Sequence, residues 1–92
     1  MNKKEKMLWK LLADLEKVSD NIETVFGGDD FLDKEIDGLW QIIMEEYGIE
    51  DSGWFADEVL NVLYDFGQGE ITMKEAHKKM LEIHSEQHAR TP

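Results

Sequence analysis

Apolar residues recur every three or four positions through the first 26 residues, with charged residues between them. This is the spacing of a helix seam, and the seam consists of Leu8, Leu11, Leu15, Val18, Ile22 and Val25. Leu12 and Phe26 widen the stripe beyond a narrow coiled-coil edge. The pattern favours a helix packed in a bundle, with self-pairing as a second possibility.

Three further segments show helical apolar periodicity, and glycines or capping residues separate them. Counted with the first, the predicted helices span about 3–26, 30–47, 52–66 and 72–84. Residues 85–92 lack large apolar side chains, so we expect a frayed tail there. Four helices joined by short turns within 92 residues predict an all-α fold, a compact single-domain bundle.

Charge is strongly segregated along the chain. Residues 14–70 contain 17 acidic residues and only two lysines, so this block carries a net charge of −15. The net charge of the whole chain is −11 because both ends are positive. The first 13 residues carry +3 and residues 71–92 carry +1. Such a charge repels nucleic acid and anionic membranes and attracts basic proteins, and it describes association rather than fold.

Cysteine is absent, and no apolar run approaches the length of about 20 residues needed to cross a bilayer. Neither disulfides nor thiolate metal sites are therefore available. These features fit a reducing compartment, and we expect a soluble, cytoplasmic protein.

Residues 64–75 resemble the second half of an EF-hand loop. Gly69, Ile71 and Glu75 occupy the sixth, eighth and twelfth places of that twelve-residue pattern. The first, third and fifth places, which supply oxygen ligands in such loops, are Tyr64, Phe66 and Gln68. We therefore interpret the loop as a structural connection, with Thr72 and Glu75 spaced as a capping box.

Histidines offer the nearest approach to a metal site. His84 and His88 are four residues apart and would share a helix face, but the sequence supplies no third ligand beside them. Glu86 falls one place too late for the base of a zinc-protease motif. No nucleophile–base pair or phosphate loop was found either, so the sequence predicts no enzyme, cofactor or metal.

The tryptophans differ in their expected roles. Trp40 lies close to the apolar stripe of the second helix and is expected in the core. Trp9 and Trp54 lie beside the stripes of their helices, where a large aromatic residue either anchors an interface or completes a small core. Both interpretations remain open from the sequence.

In size, helicity and charge the chain is similar to two groups of proteins. One is the acidic immunity proteins that neutralise nucleases, although their paired-tyrosine segment is absent here. The other is phage-encoded antagonists of host defence that imitate the charge of DNA, such as anti-CRISPR and anti-restriction proteins. The segment from Gly69 to His77, GEITMKEAH, also resembles the ending of many small phage and prophage proteins.

The resemblance and the charge together predict an inhibitor that blocks a basic, nucleic-acid-handling protein by charge mimicry. The candidate partner-binding residues are Asp29, Asp30, Asp33, Asp37, Glu45, Glu46, Glu50, Asp51, Trp54, Asp57 and Glu58. The alternative is a helical structural or regulatory module that homodimerises or binds a partner helix through the apolar seam, with acidity serving solubility.

Overall fold

Four α-helices account for most of the chain in a computed structural model, which describes residues 1–26, 32–50 and 53–90. They are α1 (Lys3–Phe26), α2 (Asp33–Glu46), α3 (Gly53–Gly67) and α4 (Met73–Arg90). The predicted all-α, four-helix bundle is confirmed. None of the helices in the described ranges is long and apolar enough to cross a membrane.

The helices pack as two close pairs, α1 with α2 and α3 with α4, and α3 also contacts α1 and α2. All four helices contribute to one apolar core. Among its fully buried side chains are Trp9 and Leu12 from α1, Ile43 from α2, Leu63 from α3 and Met80 from α4. Trp40 packs at the edge of this core, as expected from the sequence.

The buried face of α1 differs from the predicted seam. Leu8 and Leu15 pack against the core, but Leu11 and Val18 are about half exposed. The inward row is instead Trp9, Leu12 and Glu16. Trp9 fills more core volume than a leucine, and its indole N–H has a hydrogen-bond acceptor, so the helix turns this side inward. The side chains of Ile22 and Val25 lie outside the described part of the chain.

The predicted frayed tail is also wrong, because α4 continues to Arg90. Gln87 is buried and accounts for the difference. Its side-chain amide accepts a hydrogen bond from the backbone N–H of Glu50 and donates one to the carbonyl oxygen of the same residue. These bonds attach the last turns of α4 to the connection after α2.

Local signals fix several helix ends. Thr72 and Glu75 form the predicted capping box with reciprocal bonds of 3.1–3.2 Å. Asn2 and Glu5 form an equivalent box before α1. Both α2 and α3 end in paired backbone bonds around a glycine with positive φ, Gly48 and Gly69 respectively. The third helix was predicted to end at about residue 66, and α3 ends one residue later, at Gly67.

Candidate functional site

Carboxylates from two helices converge on a cleft of about 450 Å³ between α1, α2 and α3. We call it the acidic cleft. Its acidic residues are Glu16 and Asp20 of α1 and Asp33 and Asp37 of α2. Within each pair the residues are four apart, which places both side chains on the same helix face, about 6 Å apart at their Cβ atoms. Ser19, Ile36, Trp40, Tyr64 and Gln68 complete the lining.

Glu16 is the unusual member of this cleft. Its side chain is only 9% exposed, because it continues the inward row begun by Trp9 and Leu12. No hydrogen bond joins its carboxylate to another residue in the described ranges. Burial raises the pKa of Glu16, and the nearby charges of Asp20 and Asp33 raise it further. A carboxylate in this position is stabilised by any cation that enters the cleft.

Trp40 adds an unsatisfied donor to the wall of the cleft. Its indole Nε1 atom is buried and has no hydrogen-bond partner within the described part of the chain. A buried donor without an acceptor is costly in a folded protein. The cleft therefore combines several carboxylates with aromatic surface from Trp40 and Tyr64, a lining suited to an alkylammonium or guanidinium group.

Some of the sequence-predicted site residues lie in this cleft and others do not. Asp33 and Asp37 lie in it. Glu58 lines a different cleft, of about 350 Å³, between α3 and α4, where Lys79, Glu82 and Glu86 are also found. Asp57 and Glu45 are exposed on α3 and α2.

The carboxylate of one predicted residue, Glu46, and the backbone of another, Glu50, already have partners within the fold. Glu46 is mostly buried and lies 2.9 Å from the Nζ atom of Lys4. The backbone of Glu50 is held by Gln87. Asp29, Asp30 and Asp51 lie outside the described residues, as does the side chain of Trp54.

Sequence reasoning missed Glu16 and Asp20 as site residues, although the signal was present. Trp9, Leu12 and Glu16 are spaced three and four apart, so a core position for Trp9 would also have turned Glu16 inward. The regular leucine and valine seam gave the stronger periodicity and concealed this second row.

A separate polar network crosses the core between α1, α2 and α4. The indole N–H of Trp9 donates to the hydroxyl oxygen of Tyr47 at 2.8 Å, and that hydroxyl lies 2.6 Å from Nδ1 of His77. Oε2 of Glu5 lies 3.3 Å from the same His77 nitrogen. Burial raises the pKa of Tyr47 to about 12. These contacts satisfy polar groups inside the core, which is a structural role.

The remaining histidines lie together near the end of α4. The ring centroids of His84 and His88 are 4.2 Å apart, as their spacing on one helix face requires. Nε2 of His84 packs close to Gly48. Within the residues that the structure describes, no three acidic, histidine or cysteine side chains are grouped as metal ligands.

Comparison with known proteins adds no family assignment: no family matches the chain, and no curated protein or solved structure is significantly similar to it.

Proposed function

We propose that this protein is an acidic binding protein that inhibits a basic, nucleic-acid-handling partner. Its carboxylates would occupy the positions at which that partner binds the phosphates of nucleic acid. The convergence of Glu16, Asp20, Asp33 and Asp37 on one cleft carries the proposal. The net charge of −11 supports it, since opposite fields accelerate the encounter with a basic protein. This function is binding rather than catalysis and requires no cofactor.

The acidic cleft would receive a lysine or arginine side chain from the partner. Such a cation gains the carboxylates of Asp33 and Asp37 and supplies the opposite charge that the buried Glu16 lacks. The faces of Trp40 and Tyr64 favour a flat guanidinium over a hydrated ammonium. Arginine is therefore the expected anchor residue.

The partner class follows from the same chemistry. Proteins that bind nucleic acid carry lysines and arginines in grooves shaped for phosphates, and an acidic protein in such a groove excludes the nucleic acid. We include among these partners the nucleases of bacterial defence systems, which anti-CRISPR and anti-restriction proteins block, and toxin nucleases, which immunity proteins block. Such an encounter takes place in the cytoplasm, which suits a chain without cysteine.

The test measures inhibition of DNA cleavage by a panel of CRISPR effector nucleases, restriction endonucleases and bacterial toxin nucleases. The wild-type protein should inhibit at least one of them, and inhibition should weaken as the salt concentration rises. The cleft variant is Asp33→Asn with Asp37→Asn. The matched control is Glu35→Gln with Glu45→Gln, which removes the same charge from exposed positions of the same helix.

We expect the cleft variant to lose about 100-fold in affinity for the inhibited nuclease, about tenfold for each carboxylate removed. The control should lose less than about threefold through weaker steering. Absence of inhibition across the panel would contradict the proposed function. Equal losses in the two variants would show that net charge acts without the cleft.

A further inference from the structure

A row of apolar side chains remains exposed on α1, on the side facing away from the core. Met7, Leu11 and Val18 are 63%, 48% and 47% exposed, and we call them the outer stripe. At about 100° per residue they fall within about 40° of one another around the helix. Met7 and Val18 are each two positions from an inward residue, Trp9 and Glu16, and therefore lie about 160° from the core side.

Part of the outer stripe lines a shallow groove. This groove has a volume of about 430 Å³, and its apolar lining residues are Met7, Leu8 and Leu11. Its charged lining residues are Lys4, Lys10 and Asp14. A helix with apolar rows on opposite sides buries one of them in its own bundle and leaves the other for a partner.

We propose that the outer stripe pairs with the same stripe of a second copy, with the two α1 helices antiparallel. The charged residues beside the stripe argue for this occupant. Lys10 and Asp14 line the groove next to Leu11. Antiparallel pairing that sets Met7 against Val18 of the second copy brings Lys10 of each helix close to Asp14 of the other, whereas parallel pairing sets Lys10 against Lys10 and Asp14 against Asp14.

The position of the stripe also limits repulsion between two chains of net charge −11. Because the stripe faces away from the core, the α2 helices of the two copies would be separated by three successive helix contacts. At about 8–10 Å for each contact they lie roughly 25 Å apart. The screening length is about 8 Å at physiological salt, so repulsion between the acidic helices is largely screened.

The first experiment measures oligomeric state by sedimentation velocity over a range of protein concentrations. The wild-type chain should form a dimer that dissociates on dilution. Leu11→Glu with Val18→Glu should raise the dimer dissociation constant about 100-fold, tenfold for each charge placed in the pairing surface. Since both residues are exposed, the helical circular dichroism signal should not change.

Ile42→Glu with Leu81→Glu is the matched control, because these residues are 48% and 46% exposed on other helices. This control should dimerise like the wild type. A wild-type chain that stays monomeric at every concentration would overturn the proposal. So would a stripe variant that still dimerises, or a control that dissociates equally.

The second experiment determines orientation and uses the absence of cysteine from the chain. Met7→Cys and Val18→Cys chains are mixed and oxidised. Antiparallel pairing predicts a disulfide between the two different chains, because each end of the stripe meets the opposite end of its partner. Disulfides that join only two copies of the same variant would show parallel pairing and overturn the arrangement.

The stripe and the acidic cleft lie on different sides of α1, so the Leu11→Glu, Val18→Glu variant should retain any nuclease inhibition.

Discussion

The carboxyl group of Glu16 lies directly against the backbone of Gly67, where α3 ends. A methyl group added at Gly67 would lie 2.9 Å from Cδ of Glu16 and 3.0 Å from Oε1. Gly67 has no positive φ, so glycine is needed here for space rather than for backbone conformation. The close approach is what allows α3 to form one wall of the acidic cleft.

Gly67→Ala should consequently lack the stabilisation that alanine usually brings to a helix. Alanine is favoured over glycine by about 1 kcal/mol in a helix interior, but here it must displace Glu16. We expect little or no gain in the wild-type background and a gain of about 0.5–1 kcal/mol in a Glu16→Ala background. Urea denaturation of the wild type, the two single variants and the double variant gives the coupling energy between the two positions. Additive effects would show that the contact is not restrictive.

Glu16→Gln should stabilise the folded protein at neutral pH. The folded chain holds the Glu16 proton at pH values where the unfolded chain has already lost it, because burial raises the pKa of Glu16. The free energy of unfolding of the wild type therefore falls as pH rises through this interval, and glutamine removes that loss. We expect a gain of about 1 kcal/mol at pH 7 that shrinks towards pH 4.

Urea denaturation between pH 4 and pH 8 measures this difference. A gain that does not depend on pH would argue against the ionisation of Glu16 as its cause. The same variant should bind a basic nuclease more weakly, because the buried charge that destabilises the free protein attracts the cation of the partner.

Gln87→Ala should destabilise the protein by about 2 kcal/mol. It removes both bonds to the backbone of Glu50 and leaves that N–H and carbonyl group without their side-chain partner. Amide hydrogen exchange should quicken across the last turns of α4, since their attachment is lost. Ser85→Ala, at an exposed position of the same segment, is the control and should change neither quantity.

Tyr47→Phe should cost about 1–2 kcal/mol, because the indole N–H of Trp9 loses its acceptor. A second effect appears at high pH. Burial raises the pKa of Tyr47 from 10.0 to about 12. Between these pH values the unfolded chain has therefore lost a phenol proton that the folded chain still holds. Wild-type stability should therefore fall as pH rises through this interval, and the Tyr47→Phe variant should lack this part of the fall.

Thermal unfolding followed by circular dichroism between pH 9 and pH 12 provides the measurement. Tyr64→Phe, at an exposed position, is the control for the loss of a hydroxyl group. A fall with pH in the Tyr47→Phe variant that equals or exceeds the fall in the control would contradict the assignment.

Helix positions and caps were largely predictable because they depend on neighbouring residues. The Thr72–Glu75 box and the inward positions of Met80 and Ile83 follow from spacings within one or two turns. The end of α4 was not predictable in this way. Its last turns depend on a bond between Gln87 and Glu50, which are 37 residues apart in the chain.

The site was predictable only in part for a related reason. Negative charge in the central block is visible in the sequence, and Asp33 and Asp37 were among the candidate binding residues chosen from it. Their convergence with Glu16 required the rotation of α1 about its axis. That rotation depends on whether Trp9 or Leu11 faces inward, and periodicity alone favoured the leucine.

The polar network of Trp9, Tyr47 and His77 also affects how the protein unfolds. Its members belong to both close helix pairs, since Trp9 and Tyr47 come from the α1–α2 side and His77 from α4. Neither pair can separate from the other without exposing these groups and breaking their bonds. Heat or denaturant should therefore melt the two halves together in a single cooperative transition, with no half-folded intermediate.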